Sequence, residues 1–106
     1  MPITSNRFIN HTEVEKAIEE VIPQLGPDVV HVAYNLGEEL EWRSRIFFRV
    51  VLTNAVSVEG RLGEVARRIS TTVFDQLKPQ ENWGLFPYFS FRSEAEHLQR
   101  PDPQWA

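Results

Sequence analysis

The residues that decide the fold are Trp42-Arg43-Ser44-Arg45-Ile46-Phe47-Phe48-Arg49-Val50-Val51-Leu52-Thr53. Side chains alternate along this stretch, and four apolar ones share one side: Ile46, Phe48, Val50 and Leu52. β-branched and aromatic residues fill the stretch, and neither Gly nor Pro interrupts it, which is typical of a long strand. The stretch therefore predicts the central strand of a small domain. One side of this strand faces a core, and the other side carries arginines around Phe47.

Length and composition are those of an ordinary small globular domain. The chain has 106 residues, of which 42% are hydrophobic and 25% are charged, enough for one hydrophobic core. We therefore expect a single domain over residues 1–106, with a polar leader at 1–10 and a C-terminal tail at 94–106. A core of this size leaves little room for a deep internal active site.

Charge and cysteine content narrow the classes of function. The net charge of −4 and the pI of about 5.3 disfavour broad electrostatic capture of nucleic acid or of an anionic membrane. The chain has no cysteine, which excludes disulfides, thiolate metal sites and cysteine nucleophiles. The N-terminal residues lack the apolar core of a signal peptide, and no apolar run approaches the length of a membrane span. We therefore expect a cytoplasmic protein that does not bind membranes.

The chain before the central strand predicts one helix and one strand. Thr12 and Glu15 have the spacing of a capping box, and apolar residues then repeat at helical spacing until Pro23 ends the helix. Residues 29–36 predict a strand, which a turn at residues 37–41 joins to the central strand as an antiparallel hairpin. Its larger side chains are expected to face the core: Val30, Val32, Tyr34 and Leu36.

The chain after the central strand predicts a long helix, an edge strand and a tail. Residues 59–78 carry an apolar stripe at helical spacing and end at Pro79. Residues 85–93 predict a strand at the edge of the sheet, because Pro87 cannot donate to a strand ladder. Trp105 follows two prolines, and we expect it either to plug a hydrophobic edge of its own chain or to dock onto a second subunit.

The order of elements is helix, strand, strand, helix, strand. This order predicts an α+β two-layer sandwich, with the two helices packed on one face of a small three-stranded antiparallel or mixed sheet. No predicted element remains to cover the other face. Nine residues are expected there, and they are the candidates for an interface or a ligand-binding face: His31, Asn35, Arg43, Arg45, Phe47, Arg49, Tyr88, Ser90 and Arg92.

One short segment, Gly60-Arg61-Leu62-Gly63, resembles the loop with which KH domains clamp nucleic acid. In those domains the loop joins two helices, whereas here a strand is predicted to precede it, and the surrounding chain is acidic. We therefore interpret the segment as a glycine-rich start of a helix. Backbone amides at the start of a helix can hold a phosphate, so weak anion binding stays open as an alternative.

Three functions compete for the uncovered face. The favoured one is a non-enzymatic protein-interaction or self-associating domain, expected as a homodimer, because arginine and aromatic residues are enriched in interface cores. The alternative is binding of an anion, a nucleotide or single-stranded RNA, which the acidic pI disfavours. An enzyme ranks last, because the histidines at 11, 31 and 97 lack metal-ligand spacing and no Ser, His and acid arrangement is recognisable. The sequence therefore assigns no catalytic, cofactor-binding or metal-binding residue.

Overall fold

A computed structural model describes residues 11–38, 44–100 and 102–105. Three strands form one mixed sheet in the order β1-β2-β3, with β1 at Val29–Glu38, β2 at Ser44–Leu52 and β3 at Leu85–Ser93. β2 pairs with β1 antiparallel and with β3 parallel. The prediction of a central strand is therefore confirmed, and so is the edge position of the strand that contains Pro87.

The described helices include two long ones, α1 at His11–Val21 and α3 at Leu62–Leu77. The shorter ones are α2 at Asn54–Val58, α4 at Pro79–Trp83 and α5 at Glu94–Gln99, with 3₁₀ turns at Ile22–Leu25 and Pro103–Trp105. α1 and α3 contact each other and contribute buried side chains to the same core as the sheet. The fold is thus the predicted α+β two-layer sandwich. No helix among the described residues has both the length and the apolar character needed to cross a membrane.

The alternation along β2 separates core from surface as predicted. Phe48 is 3% exposed and lies in one row between Tyr34 of β1 and Phe89 of β3. Its ring centroid is 6.5 Å from that of Tyr34 and 5.0 Å from that of Phe89. The helices cover this row and its neighbours with buried residues that include Val14, Ile18, Val65, Ile69 and Val73. This side of the sheet is the inner face.

Val30 corrects the predicted side assignment of β1. The register shifts between Val29 and His31, which pair with Leu52 and Val51 of β2. The irregularity turns Val30 away from the core, so that it is 47% exposed, while Val29 packs against the core in its place. The other predicted core residues of β1 are partly buried on the inner face: Val32, Tyr34 and Leu36.

Two predicted helix starts are wrong. The chain is already helical at His11, so Thr12 lies inside α1 and is not its N-cap. The helix predicted over residues 59–78 is α3, which begins at Leu62 instead of residue 59. Before it lies α2, a short helix that the sequence did not predict and that the fully buried Val56 anchors to the core. Gly60 then adopts a φ of 68°, and the amide of Arg61 donates to the carbonyl oxygen of Val56 at 2.9 Å, which ends α2 before α3 begins.

The polar leader at residues 1–10 lies outside the described residues, as do Trp42 and Arg43. The predicted end of the long helix is confirmed, since α3 ends at Leu77 and Pro79 starts α4. Trp83, at the end of α4, packs against the core.

Candidate interaction face

The outer face is the side of the sheet opposite α1 and α3. Strand register places its residues in rows across the three strands. All the described candidates lie on this face. One row holds His31 and Arg92, a second holds Arg49 and Ser90, and a third holds Asn35, Phe47 and Tyr88. Arg45 lies in the next row. Arg43, the ninth candidate, lies outside the described residues.

One end of the outer face is covered, contrary to the prediction that no element remained to cover it. The C-terminal segment, residues 94–100 and 102–105, folds back so that its 3₁₀ turn contacts β1 and β2. Trp105 is 7% exposed, and Val51 beneath this segment is 1% exposed although it points away from the core. Trp105 is therefore buried by its own chain, as the plug interpretation predicts.

Local hydrogen bonds fix the start of the C-terminal segment. Ser93 and Glu96 form a capping box, in which the Glu96 amide donates to Ser93 Oγ at 3.2 Å and the Ser93 amide donates to Glu96 Oε1 at 2.9 Å. The bond from the Ser93 amide is the main reason that the pKa of Glu96 is lowered. The amide of Ala95 donates to Asn54 Oδ1 at 3.0 Å, which ties α5 to α2.

Arg92 contacts the end of this segment, and two histidine rings lie close by. Cζ of Arg92 lies 4.3 Å from the centroid of the Trp105 ring, and Nη1 of Arg92 donates to the carbonyl oxygen of Arg100 at 3.0 Å. The ring of His97 is 6.5 Å from that of Trp105 and 6.3 Å from that of His31. The fold therefore brings together His31 and Arg92, which were predicted for this face, with His97 and Trp105, which were not.

The other end of the outer face carries the arginine–aromatic patch, which we define as Asn35, Arg45, Phe47, Arg49, Tyr88 and Ser90. Its Phe47 and Tyr88 rings stack with centroids 5.7 Å apart and planes at 27°. Cζ of Arg49 lies 5.6 Å from the Phe47 centroid, and Cζ of Arg45 lies 5.2 Å from the Tyr88 centroid. Arg49 also donates a hydrogen bond to Asn35 Oδ1. Rings and guanidinium groups thus form one connected layer.

The outward strand positions and the exposed surface of α1 carry opposite charges. The outward positions of the strands, from residue 31 to 35, 45 to 51 and 86 to 92, carry three arginines and no acidic residue. On the opposite side, α1 exposes four glutamates and one lysine: Glu13, Glu15, Glu19, Glu20 and Lys16. A negative net charge therefore coexists with cationic outward strand positions, which can attract carboxylates or other anions.

The Gly60–Gly63 segment joins α2 to α3, so the predicted difference from the KH loop is wrong on this point. The acidic surroundings remain. Arg61 Nε lies 2.6 Å from Glu59 Oε1, and Arg61 Nη2 lies 3.4 Å from Asp28 Oδ1. Donation from Arg61 lowers the pKa of Asp28. Because the basic side chain of this segment is held by carboxylates of its own chain, the structure does not favour a phosphate site here.

Within the described ranges of the chain, no group of three or more His, Asp or Glu side chains could hold a metal ion. The sequence did not predict the approach of His31 and His97, whose ring centroids lie 6.3 Å apart. The only local sequence signal for this approach is the Ser93–Glu96 capping-box spacing. This spacing predicts α5 but not the side of the sheet on which α5 lies.

No known protein family, curated protein or solved structure matches this chain. A functional proposal therefore depends on the geometry of the outer face.

Proposed function

We propose that this protein is a small non-enzymatic interaction domain that self-associates through the arginine–aromatic patch. The observation that carries the proposal is the Phe47–Tyr88 pair, whose rings stack 5.7 Å apart under the guanidinium groups of Arg49 and Arg45. Aromatic residues and arginine are the types that most often dominate the energy of protein interfaces. Here they lie side by side on a sheet surface, where a partner can contact them together.

The patch is also suited to binding because its side chains already contact one another. A guanidinium group that stacks on a ring, as Arg49 does on Phe47, has lost part of its rotamer freedom before any partner arrives. The hydrogen bond from Arg49 to Asn35 restricts it further. Preorganised side chains lower the entropic cost of association, so more of the contact energy contributes to affinity.

Charge complementarity favours a second copy of this chain as the partner. A face-to-face dimer would place the arginines of two patches against each other, which costs free energy. The acidic surface of α1 offers Glu15, Glu19 and Glu20 to the patch of another copy instead. Contact between the patch of one copy and α1 of the next is heterologous, so it forms a ring if the rotation closes and a longer chain if it does not.

Binding of an anion, a nucleotide or single-stranded RNA to the same patch is the second candidate. The observation that favours it is the pairing of cationic side chains with two adjacent aromatic rings, which is how single-strand binders hold backbone and bases. Two observations weigh against it. Guanidinium groups already lie over the Phe47 and Tyr88 rings, and the chain has a net charge of −4.

The experiment is size-exclusion chromatography with light scattering at micromolar concentrations. We expect the wild type to have a mass above that of the monomer, and Arg49→Gln to shift it toward the monomer. Arg49→Lys should shift it as well, because lysine keeps the charge and loses the planar group that stacks on Phe47. The matched control is Arg67→Gln, on the exposed side of α3, which should leave the mass unchanged. A wild-type monomer throughout the concentration range would contradict the proposal.

A second pair of variants tests the identity of the contact surface. Glu19→Lys combined with Glu20→Lys should weaken assembly as Arg49→Gln does, because it reverses the charge that faces the patch. If this α1 variant assembles like the wild type while Arg49→Gln does not, the partner surface is not α1.

A further inference from the structure

The C-terminal segment is attached to the outer face by a cluster that includes two histidines and one arginine. Its 3₁₀ turn lies over the row of His31, Val51 and Arg92, and Trp105 is the buried residue of the segment. His97 lies beside both the Trp105 ring and the His31 ring, at centroid distances of 6.5 Å and 6.3 Å. Arg92, a permanent cation, completes the cluster at 4.3 Å from the Trp105 ring.

One imidazole nitrogen in this cluster is buried. Among the described residues, Nδ1 of His97 is buried and has no hydrogen-bond partner. In a neutral imidazole one nitrogen carries no proton, so an unpartnered nitrogen is tolerated more readily than in the cation, where both nitrogens carry a donor. A protonated His97 would therefore bury a charged donor without an acceptor.

The neighbouring charges strengthen the same effect. The strands contribute His31, whose ring centroid lies 6.3 Å from that of His97, and Arg92, whose Cζ lies 4.3 Å from the Trp105 centroid. Protonation of the two histidines would therefore add two cations to a cluster that already holds Arg92. The charged residues within the C-terminal segment itself are Glu94, Glu96, Arg100 and Asp102. Glu96 is engaged in the capping box with Ser93. The repulsion between the cations would thus act across the contact that holds the segment on the sheet.

We propose that the C-terminal segment is a proton-sensitive strap, which is docked when His31 and His97 are neutral and released when they are protonated. Histidine is the side chain that ordinarily takes up a proton between about pH 5 and 8. Release exposes Val51 and Trp105 and extends the uncovered outer face beyond the arginine–aromatic patch. The strap is a property of the single chain and does not depend on self-association.

The experiment is an NMR titration of the full chain from about pH 8 to about pH 5. Loss of one signal in Trp105→Phe identifies the indole N–H signal of Trp105, and the imidazole signals of His31 and His97 are followed in the same samples. We expect the Trp105 signal to move toward that of an exposed indole with the same midpoint as His97. Quenching of tryptophan fluorescence by acrylamide should rise over the same range, while the far-UV circular dichroism of the sheet and long helices persists.

Variants separate this response from general acid effects. His97→Gln removes the titrating group and should abolish the movement of the Trp105 signal, and the matched control His11→Gln, on α1, should retain it. The same titration in Arg49→Gln separates release of the segment from any change in assembly. If the segment is already released in His97→Gln, the test is whether the Trp105 and His97 signals of the wild type have the same midpoint. A Trp105 signal that does not respond to pH, or that responds with a midpoint different from those of both histidines, would overturn the proposal.

Discussion

Arg92 lies over the indole of Trp105, with Cζ 4.3 Å from the ring centroid, and the same guanidinium donates to the carbonyl oxygen of Arg100 at 3.0 Å. The edge strand β3 therefore holds the C-terminal segment by a cation–π contact and by a hydrogen bond to its backbone. Because Trp105 is 7% exposed and Val51 is 1% exposed, this contact closes a second, smaller apolar cluster on the outer face.

Truncation of Trp105 should therefore destabilise the protein even though this residue is distant from the main core. We expect Trp105→Ala to lower the free energy of unfolding by about 3 kcal/mol, the lower end of the range for buried aromatic residues. The loss is limited because the segment can detach while the sheet remains folded. Urea unfolding gives the measurement, and Leu98→Ala, at a position that is 78% exposed on α5, is the control. Equal losses of stability in the two variants would contradict this role of Trp105.

The sheet was largely predictable from sequence because its signal is local. Alternation of side chains in β2 gave the correct inner and outer sides, and the uninterrupted apolar pattern gave its central position. Val30 shows the limit of this reasoning, since a register shift of one residue depends on how β1 pairs with β2 and not on its own pattern. The short helix α2 was missed because the burial of Val56, which anchors it, is a tertiary effect.

The two sides of β2 give a direct test of the face assignment. Phe48 is 3% exposed and stacks on Phe89 in the core, whereas Phe47 is partly exposed on the outer face. Phe48→Ala should cost about 3 to 5 kcal/mol, a large part of the stability of a domain of this size. Phe47→Ala should cost at most about 2 kcal/mol in a single chain. Chemical denaturation of both variants measures the difference, and a greater loss for Phe47→Ala would invert the assignment.

Asp28 gives a prediction for pH. The hydrogen bonds from Arg61, with a further contact from Arg68 at 3.5 Å, hold the pKa of Asp28 below its usual 3.8 in the folded state. The unfolded chain therefore binds this proton more tightly. Its stabilising contribution is fully present above the unfolded pKa and is lost as the pH falls through the lower folded value.

The measurement is the free energy of unfolding of wild type and Asp28→Asn across this pH range. The difference between the two should be constant above about pH 5 and should shrink as the pH falls below about 4. Asp75→Asn, at an exposed position on α3, is the control for loss of a carboxylate elsewhere on the surface. A difference between wild type and Asp28→Asn that stays the same down to pH 3 would contradict the assigned role of this ion pair.

The outer face was predicted in part, for a reason that can be stated residue by residue. The alternation of side chains along a single strand predicts that Arg45, Phe47 and Arg49 share one side. His97 and Trp105 reach the same face by a turn of the chain after β3, which no periodicity specifies. The orientation of such a segment is set by contacts with Arg92 and with the strands β1 and β2.

Arg49 distinguishes the interaction function from the anion-binding function, because both use this residue and differ in what they require of it. A phosphate or single-stranded RNA site depends on charge, so its affinity should fall steeply with salt and with Arg49→Gln, survive largely in Arg49→Lys, and leave assembly unchanged. An interface that uses the guanidinium plane on Phe47 should lose assembly in both variants. Its assembly should weaken with salt less steeply than RNA binding, because ion pairs buried on association are screened less.

We expect the second pattern. The measurement combines the oligomer mass with binding of a short single-stranded RNA, for wild type, Arg49→Gln and Arg49→Lys, at low and at high salt. The stacking of Arg49 over Phe47 and of Arg45 over Tyr88 is the physical reason, because these guanidinium planes are already part of a flat layer and are not extended toward a phosphate in solution. Micromolar RNA binding that disappears in Arg49→Gln, returns in Arg49→Lys and leaves the mass untouched would instead establish the anion-binding function.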